Sequence, residues 1–193
     1  MKASLLLALA LLGVAAGCGG TKTVTETATV VQTTTVRVTT EQTTTPSAAA
    51  NACTGDAMSG SFAGIPGSAG AGQISYKLTV KNASPVACFV SGLPNAQLLG
   101  LGGADLPTNV TAAQPGTATA ARIVLQPGDS ASATARFSPD VNGVGDNTNG
   151  TCQPKASTLR VALGGAPLDA PISPPTSVCE QGSLHFSLYT ATS

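Results

Sequence analysis

Cysteines carry most of the chemistry that this sequence offers. Four of them, Cys53, Cys88, Cys152 and Cys179, lie far apart without a C-x-x-C pair, and the chain has one histidine. Because zinc sites usually combine closely spaced cysteines with histidines, this spacing disfavours a metal site. Four such cysteines instead predict two disulfides, formed in an oxidising compartment. Three pairings are open, and we favour the sequential one, Cys53–Cys88 with Cys152–Cys179.

The fifth cysteine follows an N-terminal segment that is typical of an export signal. Lys2 precedes an apolar run from Leu5 to Ala16, and Gly17 then leads directly into Cys18. A basic start, a short apolar core and small residues before a cleavage point are the features of a secretory signal peptide. The run is also shorter than the ~20 residues that a membrane-spanning helix needs.

A cysteine directly after such a signal resembles the bacterial lipobox, in which the thiol receives a diacylglyceryl group. We therefore predict a lipoprotein signal peptide over residues 1–17 and lipid attachment at Cys18. Two acyl chains are enough for stable anchoring, so we expect the protein to be lipid-anchored on the extracytoplasmic face of the cell membrane. The alternative is an ordinary cleaved signal followed by an incidental cysteine.

Catalytic constellations are scarce. Serine hydrolases combine a nucleophile, a base and an orienting acid, but the single histidine, His185, comes with no Gly-x-Ser-x-Gly elbow in the chain. The carboxylates are scattered, and the aromatic platforms that bind sugars are few. We therefore predict no catalytic residues, no enzymatic activity and no cofactor. The alternative hypothesis is an exported hydrolase that uses His185 with a serine from a loop.

One acidic segment, Asp140–Asn149, is rich in the oxygen ligands that calcium prefers. Its spacing departs from that of an EF-hand, and Asn, Asp and Gly are also the residues that favour turns. We predict a turn and no metal site here, with calcium binding left open as the alternative.

Composition excludes some classes of partner. Nine basic residues balance nine acidic ones, so the chain lacks the excess positive charge that binds phosphate backbones. Four Phe, two Tyr and no Trp leave few platforms on which bases could stack. We therefore expect no nucleic-acid partner.

The segment that follows the signal is a low-complexity stretch. Threonine recurs at almost every second position, with Val and Ala between, and the stretch runs into Pro46 and small residues. Because it offers no large side chain to bury, we predict that residues 18–51 form a lipidated, disordered Thr-rich tether. As a flexible coil it would reach on the order of 30–35 Å.

Residues 52–193 are predicted to fold as a disulfide-stapled domain of short strands separated by Gly- and Pro-rich turns. Apolar residues alternate strictly over 73–81 and again over 130–137, which is typical of half-buried strands. Further strand candidates span 86–90, 97–101, 122–126, 159–163 and 184–188. In the last of these, we expect His185, Ser187 and Tyr189 to face away from the core.

About seven short strands predict an all-β fold, an immunoglobulin-like antiparallel β-sandwich. Three long stretches rich in Gly, Ser and Asn are expected to be loops, namely 54–72, 102–120 and 138–151. Several inward positions are Ala or Val, so the predicted core is thin. A thin core explains the need for two disulfides without any catalytic role for the cysteines.

Several of these elements follow one another in the order of a known family. The strand Tyr76–Asn82 is followed by Cys88–Pro94 (CFVSGLP) and later by Leu125–Ala131 (LQPGDSA), among the four cysteines. This order resembles the exported four-cysteine domain of actinobacterial lipoproteins known as domain of unknown function 4232, over about residues 53–190. The resemblance implies an immunoglobulin-like sandwich and carries over no catalytic residues.

Together these features favour a membrane-anchored cell-envelope lipoprotein whose β-sandwich has a non-enzymatic binding or structural role. The expected partners are the membrane, through the N-terminal lipid, and an envelope protein or cell-wall component. A second alternative to this hypothesis is a wall-spacing lipoprotein, in which the tether matters more than the domain.

Overall fold

The computed structural model describes residues 50–116 and 120–192, and within them the chain forms twelve strands. The predicted signal peptide, Cys18 and nearly all of the predicted tether lie outside these residues. The strands are β1 (Asn51–Ala52), β2 (Met58–Gly64), β3 (Ile74–Asn82), β4 (Cys88–Ser91), β5 (Asn95–Gly100), β6 (Asn109–Ala112), β7 (Arg122–Leu125), β8 (Ser130–Phe137), β9 (Ala156–Ala162), β10 (Leu168–Thr176), β11 (Ser183–Phe186) and β12 (Thr190–Thr192). Short helical turns occupy Gly55–Ala57, Leu101–Gly103 and Cys179–Gly182.

The strands form two sheets that share one core. The large sheet has the order β5-β9-β10-β2-β3-β8-β11-β6, with β12 also paired to β8, and the small sheet has the order β1-β4-β7. Leu98 of β5 and Leu184 of β11 lie near opposite ends of the large sheet but pack in the same core, so the large sheet curls around it. Val90 and Leu125 of the small sheet reach that core as well.

This architecture confirms the predicted all-β sandwich and corrects one part of it. The sheets are mixed rather than wholly antiparallel, because β1 pairs with β4, β2 with β10, and β6 with β11 in parallel. Parallel neighbours need long connections between them. The alternation of apolar residues reports which face of a strand is buried, but it does not report the direction of the neighbouring strand.

The centre of the core is built from large residues on one strand and small residues on the next. On β3, Leu78 faces Ala133 of β8, and the adjacent inward pairs follow the same scheme of large against small. The room left by the β8 alanines is filled by aromatic rings from other strands. The centroid of the Phe62 ring lies 5.2 Å from that of Tyr76 and 5.9 Å from that of Phe186, distances at which aromatic pairs attract.

A buried asparagine ties the connection after β3 to the small sheet. The Nδ2 group of Asn82 donates to the carbonyl oxygens of Val86 and Leu125, at 2.8 and 3.0 Å. Its Oδ1 accepts from the backbone N–H and the hydroxyl of Ser84. Asn82 is 1% exposed, and these bonds satisfy its amide group, as burial of a polar side chain requires. The connection between β3 and β4 is therefore held from inside the core.

Two of the predicted loops contain strands, and three further strands, β1, β10 and β12, were not predicted. Strand β2 lies within 54–72 and β6 within 102–120, whereas 138–151 contains no strand. The sequence of β2, MSGSFAG, has weak strand propensity, but it pairs with β3 over seven residues, and such pairing outweighs propensity.

Strand β10 was not predicted because it contains three prolines, which disfavour a strand in a sheet interior.

Each half of the domain contains one disulfide. Cys53, just after β1, is bonded to Cys88 at the start of β4, with a Cα–Cα distance of 4.9 Å. Cys152 is bonded to Cys179, with a Cα–Cα distance of 5.4 Å. This is the sequential pairing favoured from the sequence, and all four cysteines are buried.

Candidate functional site

His185 lies on β11 with a hydroxyl as its neighbour. It pairs across the sheet with Thr111 of β6 and Arg136 of β8, and its Nδ1 lies 2.8 Å from the Thr111 Oγ1. A hydroxyl beside an imidazole is one part of a nucleophile–base arrangement. Within residues 50–116 and 120–192, no hydrogen bond or ion pair joins His185 to a carboxylate. The hydroxyl within hydrogen-bonding distance of His185 belongs to Thr111 on strand β6. The hydrolase hypothesis expects a serine from a loop instead.

Asp146 lies within Asp140–Asn149, the segment in which calcium binding is the alternative to a turn. Its Oδ2 accepts hydrogen bonds from the backbone N–H groups of Glu180, at 2.6 Å, and Gly143, at 2.8 Å. Its Oδ1 accepts from the backbone N–H of Gln181 and from the Nε2 of Gln153, both at 2.9 Å. Both carboxylate oxygens thus face N–H donors.

The backbone of the turn Cys179–Gly182 explains how these donors converge. Glu180 and Gln181 both have φ of 55°, in the left-handed region that non-glycine residues rarely adopt. Such residues persist only where their surroundings hold them in place. Here the carboxylate of Asp146 binds two consecutive N–H groups of the turn, and the disulfide fixes its first residue to Cys152.

This geometry favours the predicted turn over a calcium site. A calcium ion needs carboxylate oxygens directed towards it, whereas those of Asp146 are directed towards N–H groups. Asp146, Cys152 and Cys179 lie close enough together to suggest a metal cluster, but the two sulfurs are bonded to each other. Desolvation raises the pKa of Asp146, yet the bonds from Gln153 and the three backbone N–H groups outweigh it and hold that pKa well below its ordinary value.

Replacing Asp146 with Asn should therefore destabilise the domain in a pH-dependent way. We expect the free energy of unfolding at pH 7 to fall by about 2 kcal/mol, since hydrogen bonds to a charged group are lost. The stabilisation by Asp146 is present above its unfolded-state pKa of about 3.9 and is lost as the pH falls through the lowered folded-state pKa. Urea denaturation between neutral and acidic pH, followed by circular dichroism, measures both effects.

Asp140→Asn is the matched control, because Asp140 is exposed in the same loop and accepts none of these bonds. Equal losses of stability for Asp146→Asn and Asp140→Asn, or an unchanged acid dependence in Asp146→Asn, would contradict the role assigned to Asp146.

Tyr189 is buried, which corrects the prediction that it faces away from the core. Phe186 pairs with Ala135 and Thr190 with Ser132, so four steps along one strand match three along the other. This extra residue is a β-bulge, and it reverses which side chains point inward. Tyr189 is consequently 6% exposed, and the alternation from β11 does not continue through it.

Tyr189 also carries the one buried side-chain polar atom that lacks a hydrogen-bond partner among the described residues, its phenolic oxygen. Burial raises the pKa of Tyr189 well above its ordinary value. The other tyrosine, Tyr76, is also buried, but its hydroxyl donates to the carbonyl oxygen of Pro174 at 2.9 Å. The two tyrosines therefore differ in whether the fold provides a partner.

A cavity of about 180 Å³ lies beside Tyr189, between the small sheet and the neighbouring ends of β5 and β9. Phe89, Val90, Leu93 and Leu163 provide apolar walls, and no Asp, Glu, Lys, Arg or His lines it. Its lining also includes Ser91, Asn95 and Gly164, which are exposed, so the cavity opens to the surface on their side. The sequence pointed to none of these residues as a group, because they come from four separate segments. The one signal in the sequence was that two large, mainly apolar residues, Leu188 and Tyr189, follow each other directly, which interrupts the alternation of apolar and polar residues.

Replacement of each tyrosine by Phe should have opposite effects on stability. Tyr189→Phe removes a buried hydroxyl without a partner and should raise the free energy of unfolding by about 1 kcal/mol. Tyr76→Phe leaves the Pro174 carbonyl without its donor and should lower it by about 1 kcal/mol. Urea denaturation of both variants beside the wild type measures the difference, and a loss of stability in Tyr189→Phe would contradict the unpartnered state of its hydroxyl.

These features define a class of protein, a small β-sandwich domain held by two disulfides. The family described as domain of unknown function (DUF4232) matches residues 53–187. The chain belongs to this family, as the order of its elements indicated. The matched residues extend from the first cysteine of the Cys53–Cys88 disulfide to the bulge after β11. No curated protein and no solved structure matches the chain.

Cys18 and the predicted signal peptide lie outside the described residues. Among the described residues, no helix has the length and hydrophobicity that spanning a membrane requires.

Proposed function

We propose that the protein is a cell-envelope lipoprotein, anchored through a lipid on Cys18 at the extracytoplasmic face of the membrane. The position of Cys18 directly after a short apolar signal is the observation that carries this proposal. The two disulfides support it, because such bonds persist in oxidising compartments.

The domain is proposed to act as a binding module without catalysis. The carboxylate of Asp146 is occupied by four internal hydrogen bonds. Partners would be an envelope protein or a cell-wall component, bound through loops or an exposed strand edge. Strand β7 is such an edge, since it ends the small sheet and its Val124 is 45% exposed.

The lipid anchor is tested by replacing Cys18 with Ala in the producing cell. We expect the variant to move from the membrane fraction to the soluble or secreted fraction, because its acylation site is lost. Gly19→Ala keeps the cysteine and should remain in the membrane. Membrane retention of Cys18→Ala, or a mass of the mature wild-type protein without acyl chains, would refute the anchor.

The binding role is tested by cross-linking the lipidated protein in its native membrane and identifying captured species by mass spectrometry. We expect one reproducible partner, linked through residues of the domain. An anchored protein that captures no specific partner would favour the wall-spacing alternative instead. In that case, a Gly/Ser linker of equal length should replace the tether without loss of function.

One observation favours a second candidate function, an exported hydrolase. The imidazole of His185 and the hydroxyl of Thr111 lie within hydrogen-bonding distance, at 2.8 Å. If this pair were catalytic, hydrolysis of an activated ester such as p-nitrophenyl acetate would be abolished both by His185→Ala and by Thr111→Val. On the proposed binding role, neither substitution changes the background rate.

A further inference from the structure

We propose that the outward face of strands β2, β3 and β8 binds a linear anionic polymer of the cell wall, with negative groups repeated along a sugar or polyol backbone. The inference rests on the proposed binding role of the domain, but not on the lipid anchor. It names the class of partner and the surface that receives it.

This face carries positive charge that the domain itself does not neutralise. Lys77 and Lys81 on β3 and Arg136 on β8 are exposed, and the three strands contain no Asp or Glu. Within residues 50–116 and 120–192, none of these cations forms a hydrogen bond or an ion pair, whereas Arg160 is paired with Asp169. Charge without an internal partner favours an anionic ligand.

The acidic residue that borders this face along the chain is Asp129, in the turn before β8. Its Oδ2 accepts a hydrogen bond from the backbone N–H of Gln126 at 2.9 Å, and it forms no ion pair with Lys81. The carboxylate therefore serves the turn and leaves Lys81 available.

The register of the sheet places the three cations on one line. Lys77 lies opposite Thr134 of β8, so Arg136 is its diagonal neighbour, about 7–8 Å away between Cα atoms. Lys81 lies four residues further along β3, about 14 Å from Lys77 on the side away from Arg136. A line of charges over roughly 20 Å matches a chain with repeated negative groups better than it matches one small anion.

Hydroxyl groups surround the cation at one end of this line. Ser59 of β2 and Ser130 of β8 are the direct neighbours of Lys81 on its two sides. With Ser61 and Thr79 they line a shallow hollow of about 240 Å³. Among the described residues, these four hydroxyls form no hydrogen bond. They can therefore donate to the oxygens of an anionic group while Lys81 balances its charge.

The chemistry of this face suits a polar polymer better than a membrane surface. Every outward position on β3 and β8 is Ser, Thr, Lys or Arg, whereas binding to a bilayer surface uses Trp, Phe or Leu that enter the headgroup boundary. Hydroxyl side chains both donate and accept hydrogen bonds, as the hydroxyls of a sugar or polyol do. Short side chains also leave the face open between the cations, so that a chain can lie along it.

Binding is measured by fluorescence polarisation with the full protein in phosphatidylcholine nanodiscs. The probes are fluorescein-labelled polyglycerol phosphate and polygalacturonate, two linear polyanions with different charged groups, and neutral dextran. We expect both polyanions to bind and dextran not to bind. Raising the salt concentration from about 50 to 200 mM should weaken the binding of the polyanions about twentyfold, as three neutralised charges predict.

Substitutions that keep the length of the side chain separate this face from charge in general. Lys81→Gln should weaken the binding of both polyanions about fivefold, the effect of one charge near an anionic surface. Lys77→Gln, Lys81→Gln and Arg136→Gln together should abolish it. Lys155→Gln is the matched control, because Lys155 is exposed but lies outside these strands, and it should bind as the wild type does. Urea denaturation of each variant shows whether the domain remains folded.

The proposal is overturned if the folded triple variant binds as tightly as the wild type, if Lys155→Gln loses as much binding as Lys81→Gln, or if dextran binds as well as the polyanions. Tighter binding to phosphatidylglycerol vesicles than to the polymers would also overturn it, and would assign the face to the membrane. A cross-linked protein partner without polyanion binding would leave the proposed function standing and remove this inference. Polyanion binding together with a failed anchoring test would support the inference and remove only the anchor.

Discussion

Gly182→Ala is expected to lower the free energy of unfolding by about 4 kcal/mol, at the upper end of single substitutions. A Cβ at this position would overlap the backbone carbonyl of Pro107, and the residue has φ of 75°. Because the obstructing atoms belong to the main chain, they cannot move aside as a flexible side chain would. The substitution must therefore separate the Cys179–Gly182 turn from the segment before β6. Urea denaturation followed by far-ultraviolet circular dichroism measures the loss.

Gly128→Ala separates the two causes of this effect. Gly128 also has a positive φ, of 90°, but no atom lies within 4 Å of the position that a Cβ would take. It should therefore lose only the ~1 kcal/mol that a left-handed conformation costs an L-residue. Similar losses at the two glycines would show that the conformation alone, and not the contact with Pro107, explains the effect of Gly182→Ala.

Replacement of Cys53 and Cys88 together by Ser should have a comparable effect, a loss of about 4 kcal/mol in the chain-entropy description. The bond joins residues separated by 35 positions, and all of β2 and β3 lie within that loop. Without the bond, the unfolded chain is no longer held in a closed loop and gains conformational entropy. The two serines also place buried hydroxyls in an apolar core. Double replacement avoids a free thiol that could exchange with the other disulfide.

The measurement is urea denaturation of the double variant beside the wild type, with intact mass under non-reducing conditions as the chemical check. The corresponding Cys152→Ser, Cys179→Ser variant is the comparison. Its loop is shorter, at 27 positions, so the entropic loss should be slightly smaller, at ~3.5 kcal/mol. A non-reduced wild-type domain with four alkylatable thiols, or a Cys53/Cys88 double variant as stable as the wild type, would contradict the expected contribution.

Sequence patterns predicted the centre of the fold well, because those strands have one buried and one exposed face. Strands β3 and β8 alternate strictly, and their structural bounds are close to the predicted ones. Strands β2 and β10 are held mainly by their neighbours. The glycines of β2 and the prolines of β10 oppose strand propensity locally, and only the pairing with β3 and β9 makes them strands. The sequence of one strand does not indicate which other strand it pairs with, so β2 and β10 could not be predicted from their own residues.

Among the site residues, the disulfide-bonded cysteines were predicted correctly, whereas the contacts of Asp146 and the burial of Tyr189 were not. Cysteine count and order led to the pairing that the structure contains. Asp146 was placed in a turn, but its donors from Gln153 and the Cys179–Gly182 turn lie too far along the chain to be seen from the sequence. Tyr189 was assigned to the wrong face, because one bulged residue after Phe186 reverses the alternation without leaving a glycine or proline as a signal.

The Cys53–Cys88 bond also determines how the domain would bear a mechanical load. A force applied to the chain ahead of Asn51 reaches the domain through β1, whose parallel pairing with β4 places the two strands in shear. At Cys53 the tension crosses the disulfide into β4, so the intervening residues, with the whole of β2 and β3, carry none of it. In a pulling experiment, the 35-residue separation would hide roughly 120 Å of contour length until the bond is reduced. Strands β2 and β3 are thus shielded from a force that is applied to the chain ahead of Asn51.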